Sequence, residues 1–141
     1  MSETKVAFET KIVIAVREDL ATWQKLNVTA FLASGLAAAI PDCIGQAYTD
    51  AAGRRYTALC GQPILVFAGT LDDLRRTHDR AVAQGLTVAP YVTAMFATGH
   101  DAANRAVFAE GDAMAQHWAG LGLHGGRKVV DKAVKGLKLH P

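Results

Sequence analysis

The run Lys11-Ile-Val-Ile-Ala-Val-Arg-Glu-Asp-Leu20, followed by Thr22-Trp-Gln-Lys-Leu-Asn-Val-Thr-Ala-Phe-Leu-Ala-Ser-Gly-Leu-Ala-Ala-Ala39, decides the fold. Lys11 to Val16 is a nearly unbroken β-branched stretch, the pattern of a strand buried on both faces. Arg17, Glu18 and Asp19 end it. From Thr22 the spacing changes. Trp23, Leu26, Ala30, Ala33 and Ala37 recur every three or four residues and are expected to form the inward stripe of a helix. Thr22 or Asp19 is placed to cap its start, and Pro41 marks its stop. The small residues Ala33 to Ala39 suit a helix lying close against a sheet.

Working outward, strand and helix signals alternate. Residues 1–9 read as a flexible lead-in, and residues 10–141 as one domain. Gln46–Asp50 and Arg55–Cys60 flank a turn with Gly53 available for positive φ, which predicts a hairpin. Pro63–Ala68 is a second hydrophobic strand. Thr70-Leu-Asp-Asp73 resembles a capping box opening a helix that turns Leu74, His78, Ala81 and Val82 inward and ends at Gly85. Leu86–Val92 is a third strand, with Pro90 pointing to an edge or a bulge. Thr98–Asp101 caps a short helix over Ala102–Phe108. Gln116–Leu123 is a last strand whose glycines permit close approach, and His124-Gly-Gly126 turns into a final helix, Arg127–Leu139. The expected architecture is a single-domain, three-layer α/β/α fold with a mixed sheet.

Composition excludes several classes. The 141 residues make about one domain, half of them hydrophobic and 20% charged, too apolar for a disordered chain. The net charge of +2 argues against a nucleic-acid coat, although residues 125–141 carry Arg127, Lys128, Lys132, Lys135 and Lys138 against Asp131 alone. That basic end is either a solvated helix face or a seat for an anion. The polar, acidic N-terminal stretch has no signal-peptide pattern, and no apolar run is long enough to span a membrane, so a cytoplasmic protein is expected. Cys43 and Cys60 lack the paired spacing of a zinc site and read as free thiols. No metal set and no cofactor fingerprint emerges.

Ordered blocks of the chain resemble the type II peptidyl-tRNA hydrolase superfamily: Lys11–Leu20 with the Ala-rich helix after it, Gln62–Phe67 with Gly85–Val88, and Val130-Asp-Lys132 followed by Leu137-Lys-Leu139. A closer resemblance is to an uncharacterised bacterial family with that fold, carried by Arg17–Asn27, Phe96–Asp101 and Leu121–Gly125. The first resemblance implies a hydrolase with a catalytic lysine at the start of the first helix, a glutamine and a histidine further along it, and an Asp and a Thr in the loop after the third strand. Here Asn27 stands in the lysine's place, with Lys25 two residues earlier. Phe31 stands for the glutamine, Ser34 for the histidine and Thr93 near the Asp. The fold is expected to be kept and its catalytic set replaced.

Three groups of residues are candidates for chemistry. At the first strand–helix junction, where α/β sheets bind ligands beyond strand carboxyl ends, stand Arg17, Trp23, Lys25 and Asn27. Lys25 and Asn27 are placed to steady an oxyanion and Trp23 to stack on a ring. The plainer reading buries Trp23 in the core and leaves Lys25 in solvent. Thr98, His100, Asp101 and Asn104 form the second group, with His100 as general base; alternatively Asp101 is simply an N-cap. His124, Gly125 and Arg127 form the third, an anion seat before a helix or merely a tight turn.

Two functions follow. One is a hydrolase acting on an ester or amide of an anionic or RNA-linked substrate, with Lys25, Asn27 and His100 catalytic. The other is a non-catalytic domain binding a nucleotide-like or anionic small ligand. Partners expected are a small anionic ligand or tRNA, no membrane, and a second copy in a homodimer. A pocket shared by Lys25 or Asn27 with His100 favours the enzyme. A buried Trp23 with His100 facing water elsewhere removes it.

Overall fold

Strand β1 (Thr10–Arg17) buries every side chain from Ile12 to Val16 because it has a strand on each side and helices on both faces. The computed structural model describes residues 7–141; residues 1–6 of the expected lead-in lie outside them. After β1 come α1 (Thr22–Ala39), a short hairpin of β2 (Tyr48–Thr49) and β3 (Arg55–Tyr56), β4 (Ile64–Gly69), α2 (Leu71–Ala83) and β5 (Thr87–Val92). The chain then forms α3 (Asp101–Glu110), β6 (Trp118–Gly126), α4 (Arg127–Ala133) and β7 (Lys138–Leu139).

The five-stranded sheet runs β5-β6-β1-β4-β7. β1 is parallel to β4, and the other pairings are antiparallel, so the sheet is mixed as expected. Pro90 lies in edge strand β5, where its missing N–H costs no ladder bond, and the register shifts at Tyr91/Val92. Alternation along β1 divides the core. Ile14 and Val16 meet Val28 and Leu32 of α1, while Val13 faces Ala81 of α2 and Val130 and Ala133 of α4. Helices therefore cover both faces of one α/β domain.

The inward stripe of α1 differs from the expected one. Val28, Leu32 and Leu36 are buried, whereas Trp23 and Leu26 are 61% and 66% exposed. The helix is apolar nearly all round, so several stripes satisfy helical spacing and the sheet makes the choice. A Cβ on Gly120 would stand 2.5 Å from Val28 Cγ1, and one on Gly122 would stand 3.0 Å from Leu36 Cδ1. The smallness that brings helix and sheet together lies in β6 more than in the alanines of α1. Neither Thr22 nor Asp19 caps α1. Ala21 precedes the helix, its N–H donating to Gln24 Oε1 at 3.0 Å, and Asp19 pairs with Arg17.

α2 opens on the expected capping box: the Asp73 N–H donates to Thr70 Oγ1 at 3.1 Å and the Thr70 N–H to Asp73 Oδ2 at 2.9 Å. Its buried face is Leu74, Thr77 and Ala81; Val82 is exposed, and His78 stacks on Trp118. The C-terminal expectation needs correcting. His124, Gly125 and Gly126 continue β6 against β1 and are not a turn. A Cβ on Gly125 would meet Leu86 Cδ2 at 2.3 Å, so packing accounts for that glycine. The last helix stops at Ala133, and Gly136, with φ of 101°, turns the chain into β7 beside β4. No helix among the described residues is long and apolar enough to cross a membrane.

Candidate functional site

β1, β4 and β5 all end at one edge of the sheet, and a cleft of about 610 Å³ opens there between α1 and the segment leading from β5 into α3. Its walls are aromatic. Trp23 and Phe31 project from α1, Tyr91 from the end of β5, Phe96 from the 3-10 turn Thr93–Ala97, and Phe108 from α3. Trp23 meets Phe96 edge-on at 5.7 Å between ring centroids. Tyr91 lies 5.2 Å from Phe96 and 5.8 Å from Phe31.

Polar groups ring this aromatic floor. Asn27 Nδ2 donates to Tyr91 Oη at 3.2 Å. Tyr91 is 3% exposed, and burial pushes its phenol above the ordinary tyrosine range, with the Asn27 bond working the other way. The Thr98 hydroxyl donates to the Met95 carbonyl at 2.9 Å and also touches the Asn104 side chain. Asp101 pairs with Arg105 one turn later, at the exposed rim.

His100 has a defined local job. It precedes α3 as the N-cap, with Nδ1 accepting the Ala103 N–H at 3.2 Å. An imidazole accepting at Nδ1 carries its neutral-form proton on Nε2. The same ring lines the cleft. Asp101, the alternative cap, is the first residue inside the helix.

Of the residues singled out from the sequence, Trp23, Asn27, Thr98, His100, Asp101 and Asn104 line this one cleft. The others lie elsewhere. Lys25 sits on the other flank of α1, its Nζ 3.4 Å from His140 Nε2. Arg17 holds Asp19 with Nε at 2.7 Å, and this bond keeps the Asp19 carboxyl below its ordinary value. His124 and Gly125 are inside β6, paired with the start of β1. The Arg127 N–H donates to the Glu9 carbonyl at 2.9 Å, which removes the amide an anion would need. α4, with its basic residues, packs on the sheet face opposite α1. Phe31, which the sequence presents only in the place of a glutamine, and Tyr91, Phe96, Phe108 and Arg105, none of them a candidate from the sequence, complete the lining. Their one signal was an aromatic at a strand's carboxyl end, Tyr91, just before an irregular stretch. Among the described residues, no three metal-binding side chains gather into a site.

The fold and the cleft define a mixed-sheet α/β domain with an aromatic recess at its strand ends. Residues 10–141 match the family described as protein of unknown function (DUF2000), and the chain belongs to it. A solved structure of a protein of unknown function, Atu0240 from Agrobacterium tumefaciens strain C58, is 48% identical, with a TM-score of 0.93 over 96% of this chain and 100% of that one. No curated protein matches.

Proposed function

We propose that the protein binds a small planar ligand, nucleobase-like in shape and hydrogen bonding, in the cleft between α1 and α3. The observation that carries this reading is the set of aromatic rings, Trp23, Phe31, Tyr91, Phe96 and Phe108, around a recess with amide and imidazole groups at its edge. Rings of this kind hold a flat π-system without demanding charge, and stacking is worth roughly 1–3 kcal/mol per base. In this reading Asn27, Asn104 and His100, which line the recess, meet the polar edge of such a ring.

The hydrolase reading draws support from Asn27 and His100 sharing this cleft, and from a fold we take to be that of the type II peptidyl-tRNA hydrolases. Two observations weigh against it. His100 Nδ1 is taken up by the Ala103 N–H at the helix cap, and Lys25 is turned away. The anionic version of the ligand lacks the amide and the basic helix it would need beside the cleft.

Trp23, exposed at the rim, is the reporter. Titration with adenosine or cytidine should quench its fluorescence to saturation, and inorganic phosphate should not. Phe31→Ala should weaken binding at least about fivefold, the lower bound of a stacking contact. Trp118 is buried and supplies a constant background, identified with Trp23→Phe. Absence of a saturable signal with any flat ring would overturn the reading. Release of tRNA from an N-blocked aminoacyl-tRNA, abolished by His100→Ala, would replace it with the hydrolase.

A further inference from the structure

The 3-10 turn Pro41–Cys43 that follows α1 ends beside the outgoing arm of the β2–β3 hairpin. Ile44 pairs with Cys60 in an antiparallel bridge, clamped by Gly61 N–H to Cys43 O at 2.6 Å and Gly45 N–H to Leu59 O at 2.8 Å. Opposed Cα atoms in such a bridge lie about 4.5–5.5 Å apart and successive residues rise about 3.3 Å, which puts the Cys43 Cα roughly 6 Å from that of Cys60, inside the about 4.4–6.8 Å that a disulfide spans. Cys43 is one residue from the partner of Cys60, and its carbonyl holds the amide of Gly61, the residue after Cys60. Both are free and belong to one apolar cluster with Ile12, Leu36, Ile40 and Ala89.

We propose that Cys43 and Cys60 are a peroxide-responsive dithiol, with Cys60 attacked first and Cys43 resolving it into an intramolecular disulfide. The division of labour follows from access. Cys43 is 7% exposed, whereas Cys60 is half-buried and lines a shallow recess with Gly45, Tyr48 and Gly61. Burial also raises the Cys43 thiol above its ordinary value and keeps it protonated, which slows its own reaction with peroxide.

The chemistry balances in two steps. The Cys60 thiolate attacks hydrogen peroxide, an S–O bond forms, the O–O bond breaks, and the leaving hydroxide takes the thiol's proton away as water. The Cys43 sulfur then attacks the sulfenic sulfur of Cys60, the S–S bond forms, and the S–O bond breaks. The departing hydroxyl leaves with the Cys43 proton as a second water. Two thiols lose two electrons and peroxide gains them. The product ties the hairpin arm to the end of α1. Ala89 lies against this cluster and also lines the aromatic cleft, so the staple forms one residue away from the ligand site. The proposal does not depend on what the cleft binds.

The test is intact mass and thiol counting on the reduced full chain before and after hydrogen peroxide. The treated protein should stay monomeric on a non-reducing gel, lose the mass of two hydrogens, and go from two alkylatable thiols to none. Reductant should restore both. In Cys43→Ser, Cys60 should stop at a sulfenic acid that dimedone captures. In Cys60→Ser, Cys43 should react with peroxide about tenfold more slowly than Cys60 does in the other variant. Circular dichroism shows that each variant is folded before it is scored. Two thiols still alkylatable after peroxide, or disulfides found only between chains, would overturn the proposal. Faster oxidation of Cys43 than of Cys60 would overturn the assigned order.

Discussion

Replacing Gly120 with alanine puts a methyl group into the contact between β6 and α1. That Cβ would lie 2.5 Å from Val28 Cγ1, 3.1 Å from Leu32 Cδ1 and 2.9 Å from the Ala15 carbonyl oxygen. Carbon atoms pack best at about 3.5–4.0 Å, so the helix must lift by about 1 Å near Val28. The Ala15 oxygen cannot yield, because Ala15 is bound in the ladder between β4 and β6. Overpacking of this kind costs roughly 1–3 kcal/mol, and a rigid backbone neighbour puts Gly120→Ala near the upper end. Loss of glycine freedom in the unfolded chain returns about 0.4–1 kcal/mol, leaving a net loss of about 2 kcal/mol. Urea denaturation should show that loss at an unchanged m-value. Gly99→Ala, where a Cβ meets nothing within 4 Å, is the control and should stay within about 0.5 kcal/mol of the parent. Val28→Ala in the Gly120→Ala background should be less damaging than alone, with a coupling of about 1 kcal/mol. Because α1 also carries Asn27 and Phe31, ligand affinity should fall with the first substitution and partly return with the second. A neutral Gly120→Ala, or strict additivity with Val28→Ala, would refute the claim that β6 sets the height of the helix.

Asn27→Leu should cost about 1 kcal/mol by leaving the buried Tyr91 phenol without its donor. It should also move the Tyr91 titration further upward in an ultraviolet phenolate titration, with Tyr91→Phe assigning the signal. Thr70→Ala should lower stability by about 1 kcal/mol in a thermal melt through loss of the α2 cap. Asp73 gives a pH signature. The Thr70 N–H, with help from Arg76, holds its carboxyl below the ordinary value. A depressed carboxylate contributes stability that is complete above its unfolded value, about pH 4, and is lost as pH falls through the folded value. Melting midpoints of Asp73→Asn should therefore fall less steeply than the parent's below that pH, while lying below it at neutrality.

Much of the fold was legible because single residues carry unambiguous instructions. Ile12 to Val16 admit only a strand covered on both faces, Pro41 stops α1, Thr70 and Asp73 start α2, and Pro90 sends β5 to an edge. The buried stripe of α1 was not legible, since a helix apolar all round leaves that choice to Gly120 and Gly122, about ninety residues away in sequence. Gly125 looked like a turn residue, yet its shape answers to Leu86. The cleft was half legible. The rule that ligands sit beyond strand ends points to Trp23 and Asn27, and the loop before α3 separately offers His100 and Asn104; it is the structure that joins the two groups at one cleft. Lys25 and Asn27, two residues apart, are about 200° apart around a helix and so face opposite flanks. Which flank meets Tyr91 and Phe96 is set by the pairing of β5 with β6, which no local pattern announces.

The central place of β1 carries a consequence for how the chain finds its fold. Its partners are distant: Ile12 pairs with Ile64 on one side and His124 on the other. No neighbouring hairpin shelters it. Long loops must close before any ladder bond of β1 forms, which raises the entropic barrier and slows folding relative to a fold of local contacts. Until β6 arrives, Ile12-Val-Ile-Ala-Val16 is an uncharged, β-prone segment with both edges open. That makes it the chain's foremost site for self-association during refolding.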